Sequence, residues 1–244
     1  MNILILAAGQ DEIALNDAGY PFYLTEFDGI PLIERLLNQL KSIKDCNFLY
    51  AFPAKEIKQW HLDNIIEQLT PGGRLISVKQ NTAGAACTAL LAIEYIDNDQ
   101  PLLIVNMSDL VNTNFSEVIE IFHSRNLDVG VITFHSIHPR YSYVAIDDNQ
   151  NIIEAAEKNP ISKNACAGFY WFARGCDFVQ AASSMIAKDA HINGQFYITP
   201  VLNELILQQT KIGAHFIDNA VYHPFKTLRH IEQFDSSLKS EKIS

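Results

Sequence analysis

The sequence predicts an α/β protein: one mostly parallel sheet flanked by helices, carrying a smaller antiparallel side lobe. Three observations lead there. The run Leu102-Leu-Ile-Val105 is continuously apolar, the mark of a strand buried on both faces of a sheet. In the first half of the chain such runs alternate with segments of helical period. In the second half the pattern changes to period-two alternation interrupted by a turn cluster, which reads as a hairpin.

Taken in order, residues 2–8 form a first buried strand, stopped by Ala7-Ala8-Gly9. Small side chains there let a ligand approach the backbone, and Gly9 permits a sharp turn. Residues 10–29 are irregular and rich in turn formers (Asn16, Asp17, Gly19, Pro21), and a loop of that length is more often functional than accidental. Pro31 opens an amphipathic helix with Leu32, Ile33, Leu36, Leu37, Leu40 and Ile43 on one face. Residues 47–52 are a second strand. One helix follows, with Ile57, Trp60, Ile65, Ile66 and Leu69 inward, closed by Pro71-Gly72-Gly73. Residues 75–78 are a third strand leading into Lys79-Gln-Asn-Thr-Ala-Gly84, where Thr82 is placed to cap an apolar helix over 85–96. The start of that helix suits either an anion site or a simple capped turn.

The central strand then turns polar at Asn106, Ser108 and Asp109. A carboxylate at the carboxyl end of a buried strand faces the ligand crevice of an open α/β sheet, where it holds a hard cation or merely caps a turn. Residues 116–125 are helical and 129–134 a strand. The hairpin pairs 141–146 with a strand starting at Ile152 and Ile153, across the cluster Asp147-Asp-Asn-Gln-Asn151. After Glu157-Lys158 and Pro160 come the strand 167–172 and a helix over 177–187. Thr199-Pro200 is a cap and first helical residue for a helix running to Gln209. Residues 214–217 are a short strand, Thr227 begins a last helix with Leu228, Ile231 and Phe234, and the tail beyond Leu238 is expected to fray.

A chain of 244 residues can be built around one large core. Its formal charge of −10 argues against DNA, RNA or an anionic membrane as the main partner, but not against a nucleotide. Cys46, Cys87, Cys166 and Cys176 form no C-x-x-C pair and read as buried thiols of a reducing compartment. His123, His135 and His138 lack a compact ligand spacing. Met1 leads into an apolar strand with no basic leader, and no apolar run is long enough to span a bilayer, so a cytoplasmic protein is expected.

Seven landmarks together resemble the sugar-phosphate nucleotidyltransferases, which join an NTP to a sugar 1-phosphate and release pyrophosphate. Leu6-Ala-Ala-Gly9 is similar to that family's opening strand and nucleotide loop, and Asp28-Gly-Ile-Pro-Leu-Ile-Glu34 to its "G-K-P-L-I-E" helix start. Gln80-Asn-Thr-Ala-Gly84 resembles the base-recognition loop, and Val105-Asn-Met-Ser-Asp109 the metal-binding aspartate turn. Pro139-Arg-Tyr-Ser142 is similar to "R-Y-G", Glu157-Lys158 to "E-K-P", and Ala167-Gly-Phe-Tyr-Trp-Phe172 to "G-I-Y-x-F". Each motif is short, but their shared order along nearly the whole chain is specific.

The resemblance implies a three-layer Rossmann-like mixed sheet with a small antiparallel side lobe. It implies a single domain over 1–244, with the nucleotide-binding part in about 1–115, the acceptor-binding part in about 116–225 and a C-terminal helix over 227–239. By it, Ala7, Ala8, Gly9, Gln80, Thr82, Ala83 and Gly84 would hold the nucleotide, with Gln80 on the base. Ser142, Glu157, Lys158 and Gly168 would hold a phosphorylated small-molecule acceptor. Asp109 would bind Mg²⁺, and Asp109 and Lys158 would be the catalytic pair. No nucleic-acid polymer or membrane is implied, and a homo-oligomer is compatible.

The sequence also departs from the family pattern. The family's first loop reads Gly-x-Gly-x-x-Arg followed by Pro-Lys; here Gly9 is followed by Gln10-Asp-Glu12, and Phe22 follows Pro21 where the lysine belongs. No Lys or Arg precedes Arg35. The late aspartate that gives the second metal ligand is missing before Thr227, where His223-Pro-Phe225 stands, with Asp218 and His223 as approximate substitutes. Cations for a triphosphate must then come from Lys79, Lys158, Lys163, Lys226 or Arg229. Three activities fit this record: a nucleotidyltransferase with altered phosphate chemistry, a glycosyltransferase using a sugar nucleotide, and a nucleotide- or sugar-binding paralogue without catalysis.

Overall fold

The computed structural model of the protein describes residues 1–7 and 19–241. Strand β1 (Asn2–Leu6) is followed, among the described residues, by a short β2 (Glu26–Phe27) and β3 (Ile30–Pro31) pair and helix α1 (Leu32–Leu40). Next come β4 (Asn47–Pro53), α2 (Ala54–Gln59), α3 (Leu62–Leu69), β5 (Arg74–Val78), α4 (Ala85–Leu90) and α5 (Ile93–Ile96). The central strand β6 (Leu102–Asn106) leads into β7 (Asp109–Val111), α6 (Phe115–Ser124) and β8 (Val129–His135). The hairpin strands are β9 (Ser142–Ile146) and β10 (Ile152–Glu157), followed by β11 (Asn164–Phe172) and α7 (Gly175–Ala187). The chain closes with α8 (Val201–Leu207), β12 (Ile212–Phe216), β13 (Tyr222–Pro224) and α9 (Leu228–Glu241).

The main sheet runs β10-β9-β11-β6-β1-β4-β5, with β8 also paired to β11 and β12 to β8. The β6, β1, β4 and β5 strands are mutually parallel, and β11 reverses direction against β6, with Phe169 opposite Val105. The expected hairpin forms but does not stand apart, because Ala165 of β11 pairs with Tyr143 of β9. Strand residues send successive side chains to opposite faces, so the sheet carries two cores. Ile3, Ile5, Leu103, Val105, Phe169 and Trp171 pack with α1, α3, α6 and Phe234 of α9. Leu4, Leu6, Leu102, Ile104, Tyr170 and Phe172 pack on the other side with α4, α5, α7 and α8. A sheet with a core on each face is the three-layer mixed architecture expected.

Several local expectations are corrected. The helix expected across residues 57–69 is two: His61 takes a left-handed φ of 51° and breaks it between Trp60 and Leu62. The 85–96 helix is likewise split into α4 and α5. Thr82 does not cap it, since its hydroxyl donates to the Gly84 carbonyl (3.1 Å) and contacts Thr88 Oγ1 (2.6 Å). Thr199 does not cap α8, because its Oγ1 is drawn into contacts with Ser142 and Tyr170. Helix α9 continues past Leu238 to Glu241. Of the cysteines only Cys166 is fully buried, and burial pushes its thiol up to about 12; the others are half-buried. No helix among the described residues is long and apolar enough to cross a membrane.

Candidate active site

The carboxyl ends of β1 and β6 lie side by side, with the Met107 N–H donating to the Leu6 carbonyl at 2.9 Å. Above them opens a cavity of about 650 Å³, in the usual range for small-molecule sites. One wall is Ala7, Lys79, Gln80, Thr82 and Gly84; the opposite wall is Ser142, Glu157, Lys158, Gly168 and Tyr197; Asn106, Ser108, Asp109 and Lys226 lie between. The residues expected at the two subsites are thus brought to one space. Ala83 does not line it, its carbonyl instead accepting from the Phe196 N–H at 2.7 Å. Ala8 and Gly9 lie outside the described residues.

Gly84 shapes the first wall. With φ 119° and ψ 174° it occupies backbone space closed to residues with a Cβ. An added Cβ would stand 2.5 Å from the Phe196 carbonyl oxygen. That carbonyl accepts the Ala86 N–H at 2.9 Å, so the chain itself consumes a donor at the start of α4. The anion-site alternative for this turn therefore loses one of its donors to Phe196.

Asp109 is 3% exposed and fully engaged. Tyr222 donates its hydroxyl to Oδ1 at 2.6 Å, Asn106 Nδ2 donates to Oδ2 at 3.2 Å, and the Lys226 ammonium lies 3.4 Å from Oδ1. Burial, with the Asp109 charge second, holds the Tyr222 phenol well above its ordinary value, so it remains a donor. Gly168, with φ 75°, sits in the irregular stretch of β11 between Cys166 and Tyr170, where a Cβ would meet Asp109 Oδ2 at 2.5 Å. The glycine of the expected acceptor motif thus makes room for the carboxylate. Ser142, in the place of the family's other glycine, accepts from Thr199 Oγ1 at 2.8 Å, and Thr199 in turn contacts the buried Tyr170 hydroxyl at 2.5 Å.

Among the described residues, five cations, Lys55, Lys79, Arg140, Lys158 and Lys226, line the cavity against three carboxylates, Glu56, Asp109 and Glu157. On a chain of net charge −10 this is an excess of positive charge among the described lining residues, which suits a phosphate ligand. Lys163 and Arg229 are not in the lining, while Lys55, which belongs to no motif, and Arg140, to whose Pro139-Arg-Tyr-Ser142 motif the resemblance gives no cationic role, are. Phe22 lines the cavity where the resemblance placed a lysine, and Arg35 is turned away, bonded to the Phe27 carbonyl with its guanidinium 5.9 Å from the Phe234 ring. Lys158 donates to the Tyr197 hydroxyl at 3.0 Å.

Arg140 donates to His230 Nε2 at 2.9 Å. Burial first, then the charges of Arg140, Lys226 and Arg229, lower the His230 pKa. The imidazole is therefore expected to take up its proton only at a lower pH than an ordinary histidine does. Proton NMR of the ring across pH 5–8 checks this; a midpoint at or above the ordinary value would contradict the cluster.

A divalent cation finds a poor donor set here. Among the described residues no group of three or more His, Cys, Asp or Glu side chains comes together. Asp109 already accepts from Tyr222 and Asn106, and an ammonium stands beside it. Pro224 is the register partner of Asp109 across the β7–β13 pair and offers no side-chain donor. The described residues do not fit Mg²⁺.

A mixed sheet with helices on both faces and a cavity at its strand ends is the arrangement in which open α/β proteins place a ligand crevice. The chain has the fold of nucleoside-diphosphate-sugar pyrophosphorylases and related nucleotidyltransferases over nearly its whole length. A nucleoside-diphosphate-sugar pyrophosphorylase from Vibrio cholerae RC9 superposes with a TM-score of 0.80 at 23% identity, covering 97% of this chain and 100% of the other. A UDP-glucose pyrophosphorylase complexed with UDP-glucose superposes with a TM-score of 0.77 at 14% identity, covering 98% of each. No protein-family model and no curated protein matches the sequence.

Proposed function

We propose that the protein is a nucleotidyltransferase-like enzyme that joins an NTP to a sugar phosphate or similar phosphorylated acceptor, in surface-polysaccharide or related biosynthesis. The observation that carries this reading is the convergence of the two walls on one cavity of about 650 Å³. The wall from the β5–α4 loop would hold the base and ribose, with Gln80 offering an amide donor and acceptor to a base edge. The wall with Ser142, Glu157 and Lys158 would hold the acceptor, with Glu157 accepting from hydroxyls and Lys158 neutralising its phosphate. On this reading residues 1–115 and 116–225 are two working halves of a single domain.

The reaction would be an in-line displacement. An acceptor phosphate oxygen forms a new bond to the α-phosphorus while the bond from that phosphorus to the α–β bridging oxygen breaks, and pyrophosphate leaves with the electron pair. This chain's residues would supply alignment, exclusion of water and positive charge from Lys79, Lys158 and Arg140.

Binding of NTPs, NDP-sugars and sugar phosphates by thermal shift, with pyrophosphate release measured in parallel, tests the proposal. Stabilisation by an NTP together with pyrophosphate release supports it; a protein unmoved by all three ligand classes refutes it. A second reading, a binding protein for a preformed sugar nucleotide, is favoured by the pairing of Asp109 with Lys226, and stabilisation by NDP-sugars alone would select it. Gln80→Ala is expected to flatten the ranking of bases, weakening the preferred one by about 1 kcal/mol because the side chain is exposed. An unchanged ranking would assign base reading to the backbone.

A further inference from the structure

We propose that Lys226 takes the place of a divalent cation, so that this protein engages the phosphates of its ligand without a metal. The inference rests on the nucleotide-sugar reading of the cavity. Four features carry it. Asp109 is the buried carboxylate at the end of the central strand, and its Oδ1 lies 3.4 Å from the Lys226 ammonium. The strand pairing sets Pro224 opposite Asp109, and proline brings no side-chain oxygen to that position. Phe225 N–H donates to the Ser108 carbonyl at 2.7 Å, which anchors the backbone immediately before Lys226 to the Asp109 turn. Lys226 remains 28% exposed in its side chain and lines the cavity, so the ammonium is held from behind and open in front.

An ammonium has three donors. With its charge beside Asp109 and over the Tyr141 ring (5.7 Å to the centroid), the ammonium has a face toward the cavity from which it can donate to a phosphate oxygen. A metal held on the same carboxylate would sit within a few ångströms of this charge, in a site largely shielded from water, and the two would repel. Lysine and a metal are therefore alternatives at this position. Tyr222 and Asn106 orient the carboxylate, the carboxylate orients the lysine, and the lysine meets the ligand.

The test has two arms. Mn²⁺ is titrated into the wild-type protein by electron paramagnetic resonance, which needs no organic ligand. Uridine diphosphate glucose is titrated calorimetrically in EDTA and in Mg²⁺, into wild type, Lys226→Met and Lys226→Arg. The proposal expects no saturable Mn²⁺ site tighter than about 1 mM. It expects wild-type affinity for the sugar nucleotide to be equal in the two buffers, to fall roughly tenfold in Lys226→Met, and to recover in part in Lys226→Arg. A tight Mn²⁺ site that Lys226→Met leaves unchanged, affinity that requires Mg²⁺, or indifference to Lys226→Met would overturn it. If no nucleotide or sugar phosphate binds under either condition, the reading of the cavity fails, while the Mn²⁺ arm still decides whether lysine excludes a metal.

Discussion

Asp109→Asn is expected to destabilise the protein by roughly 2–4 kcal/mol, although it changes only one side-chain atom of the carboxylate. The carboxylate is buried, the Tyr222 hydroxyl donates to Oδ1 and the Asn106 amide to Oδ2, and the Lys226 ammonium stands 3.4 Å from Oδ1 as an ion pair. An amide offers one acceptor and one donor. Either orientation sets its NH₂ against a neighbouring donor, and Lys226 also loses its counter-charge. Urea unfolding of wild type and variant measures the cost, with Asn106→Ala as a smaller perturbation of the same carboxylate. A loss under about 1 kcal/mol would show that the three contacts do not persist in solution.

Gly84→Ala should cost about 3 kcal/mol and abolish ligand binding at the cavity. The residue's φ and ψ lie in space closed to other residues, and the new Cβ would be driven into the backbone of Phe196, at 2.5–2.9 Å from three of its atoms. Backbone cannot swing aside as a long side chain can. Two hydrogen bonds, Phe196 N–H to Ala83 and Ala86 N–H to Phe196, tie the segments at that point. Separating them moves the Gln80–Gly84 wall, so the binding loss should exceed what the stability loss alone would produce. Chemical denaturation and calorimetric titration on the same preparation separate the two; a variant with wild-type stability would show that the segments part easily.

Much of the architecture could be read from residue pattern. The apolar run 102–105, the helical face from Leu32 to Leu40 and the hairpin around residues 147–151 each carry their own periodicity, because burial on one or both faces constrains a strand or helix locally. Their boundaries shifted where local geometry was not periodic: His61 in a left-handed conformation divides one helix, and Thr82 and Thr199 bond elsewhere than at the caps they resemble. A threonine before a helix can serve either role, and only its neighbours choose.

The candidate site divides in the same way. Asp109, Gln80, Glu157 and Lys158 were identifiable because they sit in short motifs at the ends of readable strands, and the structure gathers them around one cavity. Lys55 and Tyr197 belong to no local pattern that announces them, and they reach the cavity from the start of α2 and from the segment before α8. The partners of Asp109 are the clearest case. By itself the sequence determined that an aspartate ends the central strand and that its usual late companion is missing. Only the tertiary structure decided what stands there instead, because the β7–β13 pairing brings Tyr222 and Lys226, more than a hundred residues away, against one buried carboxylate. Contacts between residues so far apart in the chain arise from packing and strand register, and neither is visible in the spacing of residues along it.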